Sequence, residues 1–296
     1  MAATTRAATQ ALLDGKIALI ESLVCGAAVT YFDTVAILLR IGLSEPARAE
    51  IGKHCGSLYV RPSKAIAAGY PFRLTLNRPQ LEALRLIDEN LDHIVSRFDV
   101  AYDLPARSAR DAKDLTVLIQ HMAIQPRHGA RRSFLRGTSY SAQRRTARNC
   151  VIYGSRPSKV TAGPCAHIEF RFNGARACKA RGVLTSGDVL RYDAIKYLDR
   201  DVKLGLIDWP SALRLLRQLS ARDLARHPPN PGRVNAARKS LSKRVFEQLT
   251  TDGHAPSFDD PPVVPTQRAL EILPAWRNVV VLHSLSSVIR PSRTRS

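Results

Sequence analysis

Residues 166–172 read AHIEFRF, and the alternation in these seven letters sets the fold. Ala166, Ile168, Phe170 and Phe172 fall to one side of an extended chain; His167, Glu169 and Arg171 fall to the other. A period of two is the mark of a strand with one buried face and one polar face. Residues 94–104, IVSRFDVAYDL, repeat the pattern. Phe98, Val100, Tyr102 and Leu104 share one face, and Arg97, Asp99, Ala101 and Asp103 share the other. Strands with one oily face suit an antiparallel sheet that packs helices on that face, an α+β architecture.

Further strands are expected outward from this pair. Tyr31–Ile41 is rich in β-branched and aromatic residues, Phe72–Leu76 alternates, and Leu58–Arg61 and Asn149–Tyr153 are short candidates. Leu81, Leu84, Ile87 and Leu91 recur at helical spacing after Pro79, which suits a first turn. Helices are also expected over about 108–124, 187–203, 209–227 and 234–250. Ala237, Leu241, Val245 and Leu249 form an apolar stripe in the last of these. The basic stretch 127–148 reads as a loop or flexible hairpin, and the tail from Arg290 as basic and disordered. This gives three segments: a leader over 1–28, a catalytic or DNA-binding domain over 29–205, and a helical basic region over 206–296.

Charge narrows the function. Lysine and arginine number 45 against 25 acidic residues, a formal charge of +20. A charge of that size attracts a polyanion, and nucleic acid is the usual one. No acidic residue occurs between Asp114 and Glu169, a stretch that carries Arg127, Arg131, Arg132, Arg136, Arg144, Arg145, Arg148, Arg156 and Lys159. These nine are the expected phosphate contacts. Five cysteines without paired spacing argue against a disulfide framework and a zinc ribbon. Neither a signal peptide nor a membrane span is expected, so the reading is a cytoplasmic protein with no membrane partner. Phosphate-loop, nucleophile-elbow and dinucleotide signatures are missing, which argues against an ATP-driven helicase.

If strands 94–104 and 166–172 are neighbours, Asp99 or Asp103 meets His167 and Glu169. Carboxylates with an imidazole suit magnesium or manganese. The bland alternative is a strand face whose charges pair among themselves, Glu169 with Arg97 or Arg171. A metal beside a phosphate-attracting segment points to phosphodiester chemistry. On the helical wheel of 187–203, Leu190, Ala194, Tyr197 and Leu198 form the apolar stripe, and Tyr192 lies opposite with Lys196 one turn on. Tyr192 is therefore the expected nucleophile; Tyr197 sits at the stripe's edge, and Tyr140 and Tyr153 stay open as alternatives.

Four segments in order resemble the replication initiation proteins of rolling-circle plasmids and filamentous phages. They are Phe32–Leu39 (FDTVAILL), Arg97–Asp103 (RFDVAYD), Ile152–Ser158 (IYGSRPS), and His167–Arg171 (HIEFR) with the helix at Gly187–Asp193. The resemblance implies a sheet related to the His-hydrophobe-His nickase fold, magnesium or manganese, and a tyrosine that attacks origin DNA. It implies Asp99 and Glu169 as metal-side residues, with His167 beside them. Partly single-stranded origin DNA is then the expected ligand; a host helicase and a second copy of the chain are compatible partners. A DNA-binding regulator without catalysis and an RNA-binding basic protein are the competing expectations.

Overall fold

The computed structural model describes residues 2–65, 68–124, 133–135, 137–141, 147–226, 266, 269–270 and 273–289. The chain divides into two compact units. Unit 1 is Met1–Leu23, Val117–Arg132 and Leu198–Val288; unit 2 is Val24–Thr116, Ser133–Tyr197 and Ile289–Ser296.

Unit 2 is built on an eight-stranded sheet. Its strands are β1 (Val29–Leu39), β2 (Cys55–Pro62), β3 (Phe72–Pro79), β4 (His93–Pro105), β6 (Ser133–Leu135), β7 (Thr138–Tyr140), β8 (Arg148–Tyr153) and β9 (Cys165–Asn173). They lie in the order β2-β3-β1-β4-β9-β8-β7-β6, with antiparallel pairing throughout. All six strands expected from alternation are present, and β4 and β9 are neighbours. Two short strands, β6 and β7, form a hairpin in the stretch expected as a loop or hairpin.

The oily face carries the core. Phe98, Leu104 and Ile168 are fully buried, and Val100, Tyr102, Phe170 and Phe172 nearly so. Burial contributes about 1.5–3 kcal/mol for each large apolar side chain. Phe98 stacks on Phe172 at 4.7 Å, and the Tyr102 hydroxyl donates to the Ala194 carbonyl at 2.7 Å. Three helices, α2 (Glu45–Lys53), α3 (Leu81–Asn90) and α5 (Ala175–Lys179), pack around the sheet with α6 (Ser186–Leu190). Helix α3 buries Ala83, Leu84 and Ile87, as its spacing requires. Pro79 closes β3, and Gln80 is the cap of α3.

The helix expected over 187–203 is broken. Thr185 and Asp188 form a capping box that starts α6, which ends at Leu190. Asp193 then accepts from the Lys196 amide at 2.9 Å and opens a new helix, α7 (Ala194–Asp201). An Asp side chain that bonds the backbone two or three residues on competes with helix continuation, and this is why the wheel drawn through 187–203 fails. Asp88 of α3 accepts from the Gly187 amide at 2.7 Å. A Cβ at Gly187 would lie 2.2 Å from the Asp88 carboxylate, so only glycine admits this contact.

Unit 1 holds a three-stranded sheet in the order β11-β10-β5, formed by β5 (Ala123–Ile124), β10 (Lys203–Ile207) and β11 (Val280–His283). Its core gathers Ile124, Ile207, Ala212, Leu216, Leu270 and Trp276 around α8 (Trp209–Arg226). Residues 2–23, expected as a leader, form α1 (Ala2–Leu23), which buries Leu13, Ile17 and Ile20 and packs on α8, β10 and β11. The expected helix over 234–250, with its stripe, and the basic tail lie outside the described residues. Among the described residues no helix is long and apolar enough to cross a membrane.

Candidate functional site

The polar face of unit 2 follows from register. Antiparallel pairing sets Asp103 opposite His167, Ala101 opposite Glu169, and Asp99 opposite Arg171. On the far side of β9, Tyr153 lies opposite His167 and Asn149 opposite Arg171. Tyr31 of β1 lies opposite Ala101, and Thr34 opposite Asp99. The register shifts between Phe32 and Thr34, and this irregularity gives Asp33 its place at the site.

Asp99 is fully buried, and Asp103, His167 and Glu169 are each 1% exposed. Buried charge is tolerated only when paired, and here each partner is identifiable. Arg97 grips Asp99 through Nε, at 3.0 Å from both carboxylate oxygens, and through Nη2. Arg171 forks onto Glu169, with Nε donating at 2.7 Å and Nη2 at 2.9 Å. His167 Nδ1 lies 2.5 Å from Asp103 Oδ1, and the Tyr31 hydroxyl donates to Asp103 Oδ2 at 3.3 Å. The Tyr153 ring packs on the His167 ring at 4.4 Å.

Burial pushes the Asp99 carboxyl upward, against the opposing pull of Arg97. It would raise Glu169 as well, but the nearby His167 ring and the hydrogen bonds from Arg171 outweigh it and hold that group below the usual range. Asp103 is likewise held low against burial, by His167, Ser158 and Tyr31. Burial works against protonated His167, yet its bond to Asp103 and the nearby Glu169 carboxylate raise its pKa. Desolvation drives both the Tyr31 and Tyr153 phenols above their ordinary range, with nearby carboxylates adding to it.

His167 Nε2 is buried, makes no hydrogen bond and lies 3.5 Å from Glu169 Oε2. With Nδ1 turned to Asp103, Nε2 presents either a proton or a lone pair to that carboxylate. A lone pair in that position needs a cation between the two atoms. A carboxylate that orients the imidazole from the opposite nitrogen is the usual second layer of a metal site. One nitrogen and one carboxylate thus suit a borderline divalent ion such as manganese. Asp103 acts in this arrangement as the orienting group, and Asp99 is engaged by Arg97. Among the described residues no three His, Cys, Asp or Glu side chains converge on one point.

A strap over 154–164 closes the site. Lys159 Nζ pairs with Asp33 at 2.6 Å, and the Arg78 guanidinium donates to the Lys159 carbonyl at 3.0 Å. Its root is fixed at Gly154, where a Cβ would lie 2.2 Å from Thr116 Oγ1 and 2.5 Å from the Ala112 carbonyl of α4 (Ala109–Met122). Beneath lies a cavity of about 640 Å³ lined by Tyr31, Phe32, Arg78, Leu81, Lys159 and Tyr192, among others.

Tyr192 is not the surface phenol that the wheel suggests. It packs edge-on against Phe98 at 5.1 Å, on the oily face, and stacks on Tyr197 at 5.1 Å. Both tyrosines therefore lie across the sheet from Asp103 and His167, although Tyr192 reaches the cavity that Tyr31 also lines. Of the open alternatives, Tyr153 meets the cluster. Tyr31 joins it too; its phenol shares a strand with Asp33, a polar period that a reading of 31–41 as buried strand overlooks. Of the nine expected phosphate contacts, Arg127, Arg131, Arg132, Arg136, Arg144 and Arg145 lie outside the residues whose side chains are described. Arg156 and Lys159 are exposed on the strap, and Arg148 is half-buried on β8.

No protein-family model matches the chain, and no curated protein matches it. The chain is similar to the solved structure of the rolling circle replication initiator protein from Geobacillus stearothermophilus, with a TM-score of 0.39 and 11% sequence identity. The match covers 61% of this chain and 88% of that one.

Proposed function

We propose that the protein nicks DNA to start rolling-circle replication, using a tyrosine of unit 2 and a divalent cation. The observation that carries this reading is a phenol, a carboxylate and an imidazole joined in one chain on neighbouring strands. Tyr31 donates to Asp103, and Asp103 holds His167, whose free nitrogen faces Glu169. A phenol is a weak nucleophile until a base takes its proton. Asp103 is ionised and within reach of the Tyr31 proton. His167 and Glu169 would hold magnesium or manganese, which supplies charge stabilisation for the phosphoryl oxygens when bound. The attacking oxygen would form the bond to phosphorus, and the strand's 3′ oxygen would leave with a proton. Tyr153, stacked on His167, is the competing nucleophile.

The test is supercoiled origin DNA with manganese, followed by a denaturing gel for a covalent band and mapping of the adducted peptide. A Tyr31 peptide supports this reading, and Tyr31→Phe should then abolish the band while binding persists. Attachment at Tyr153 would move the nucleophile and leave the nickase reading intact. Adduct on Tyr192 would require the strand to enter through the cavity from the oily side.

A second reading has its own observation. Both Glu169 oxygens are held by Arg171, and Asp99 by Arg97. A site so fully self-paired suits a DNA-binding regulator without catalysis. Origin binding with no nick under any divalent ion would favour it.

A further inference from the structure

The polar face continues past the cluster to the β2 edge, where its character changes. Ser57, Tyr59 and Arg61 lie on β2 opposite Asn77, Thr75 and Arg73 of β3. Asn77 joins its neighbours, donating to Ser57 Oγ at 2.8 Å and accepting from Thr34 Oγ1 at 3.5 Å. Arg61 and Arg73 stand directly opposite each other. Like charges in that position are unfavourable, and among the described residues no carboxylate pairs with either. Arg73 Nε is buried without a hydrogen-bond partner. Burial, Arg61 and Arg97 together depress the Arg73 pKa, so the three guanidiniums feel one another. Beside them the Tyr59 ring is 58% exposed. A cation pair with no counter-charge and a bare aromatic on the same sheet face are the two parts of a single-strand binding platform: phosphates take the guanidiniums, and bases take the ring.

We propose that Arg61 and Arg73 together hold a phosphate of single-stranded DNA while Tyr59 stacks a base. The strand then crosses the sheet toward Asp103 and His167. The four steps from β2 to β9 span roughly 19 Å at the usual strand spacing. Arg97 and Arg171 line the way with side chains 31% and 26% exposed. The choice of DNA over RNA rests on the nicking reading; the phosphate and base contacts do not.

The test is fluorescence anisotropy of the full chain with labelled oligo-dT of about 12 nucleotides, within the usual site-size range, titrated with salt. Arg61→Ala should weaken binding about tenfold at low salt and reduce the log–log salt slope by about 0.7, the value for one single-strand phosphate. Arg61→Glu should weaken it further. Tyr59→Ala should cost at least about fivefold, and Tyr59→Phe should restore binding, since stacking needs the ring alone. Arg61 and Tyr59 are exposed, so the melting temperature should not fall and the comparison stays one of folded proteins. Unchanged affinity and slope in Arg61→Ala and Tyr59→Ala would overturn the platform, even if wild type forms the covalent adduct. Tighter binding of oligo-U than oligo-dT would overturn the choice of DNA. Loss of oligo-dT binding in the variants, with no adduct from wild type, would uphold the platform and defeat the nicking reading.

Discussion

Two ends of one sheet face treat charge in opposite ways. At the β4–β9 end Asp99, Asp103, His167 and Glu169 are buried, and each has a partner within the protein. At the β2–β3 end Arg61 and Arg73 face each other with no acid between them. Both ends arise from the same alternation of polar and apolar residues, so alternation alone does not decide which becomes a closed network and which an open one. The charges within reach decide. Asp103 closes with His167 across the ladder, and Asp99 and Glu169 close with Arg97 and Arg171 two residues along their own strands, whereas Arg61 opposite Arg73 stays open to an external anion.

The sharpest way to break this contrast is at the closed end. Glu169→Ala leaves Arg171 without its acid and removes one of the two carboxylates beside His167. Removing one member of a buried ion pair costs about 3–5 kcal/mol, and the melting temperature should fall on the order of 10 °C. A loss below about 1 kcal/mol by chemical denaturation would mean that the network carries little of the fold. Because the truncation disturbs folding, Glu169→Gln is the variant in which to measure nicking.

Acid should also act on the closed end. Asp103 and Glu169 have folded pKa values below their unfolded ones of about 3.9 and 4.3. Their contribution is present above those values and is lost as pH falls through the depressed ones. Asp99, pushed upward by burial, gains stability as pH falls toward its unfolded value, so the decline is to be read below about pH 4, where it should be shallower in Glu169→Gln. An identical acid limb in the two proteins would show that Glu169 titrates as it does unfolded.

A smaller effect is expected at Gly154. The added methyl of Gly154→Ala must displace Thr116 or the α4 backbone, at a cost of about 1–3 kcal/mol. The Lys159–Asp33 contact should loosen with it, which solvent protection of the strap amides would report. The smallest effect belongs to the open end. Arg61→Ala removes an exposed charge facing another of the same sign, so stability should change by at most about 0.5 kcal/mol, in the stabilising direction. A clear loss would reveal a partner for Arg61 and erase the contrast.

Much of this was legible in the residues. The His-x-Glu strand and the Arg-x-Asp-x-Ala-x-Asp strand announced their faces, and their adjacency set Asp103 against His167, while Asp99 is held by Arg97. The pairing of Glu169 with Arg171, weighed as the bland alternative, is present too. Tyr192 was misplaced because the wheel assumed an unbroken helix, whereas Asp193 caps a new one. Tyr31 was hidden because an apolar strand seldom advertises which single residue turns toward a site, and the shift at Asp33 has no letter of its own. Strands β10 and β11 were missed for a simpler reason: five and four residues are too few to show a period.

The composition of unit 1 has a consequence in time. Helix α1 is made before the surfaces that bury Leu13, Ile17 and Ile20, which include β10, α8 and β11, and β11 is the last of these to be made. At about 5–20 residues per second, the roughly 250 residues between Leu23 and Val280 amount to roughly 12–50 s of synthesis. Until β10 and α8 are made the apolar stripe of α1 lacks these surfaces, although every strand of the large sheet precedes them in the chain. A ribosome stalled before β10 should therefore display a protected sheet and an unprotected α1, a natural target for a chaperone.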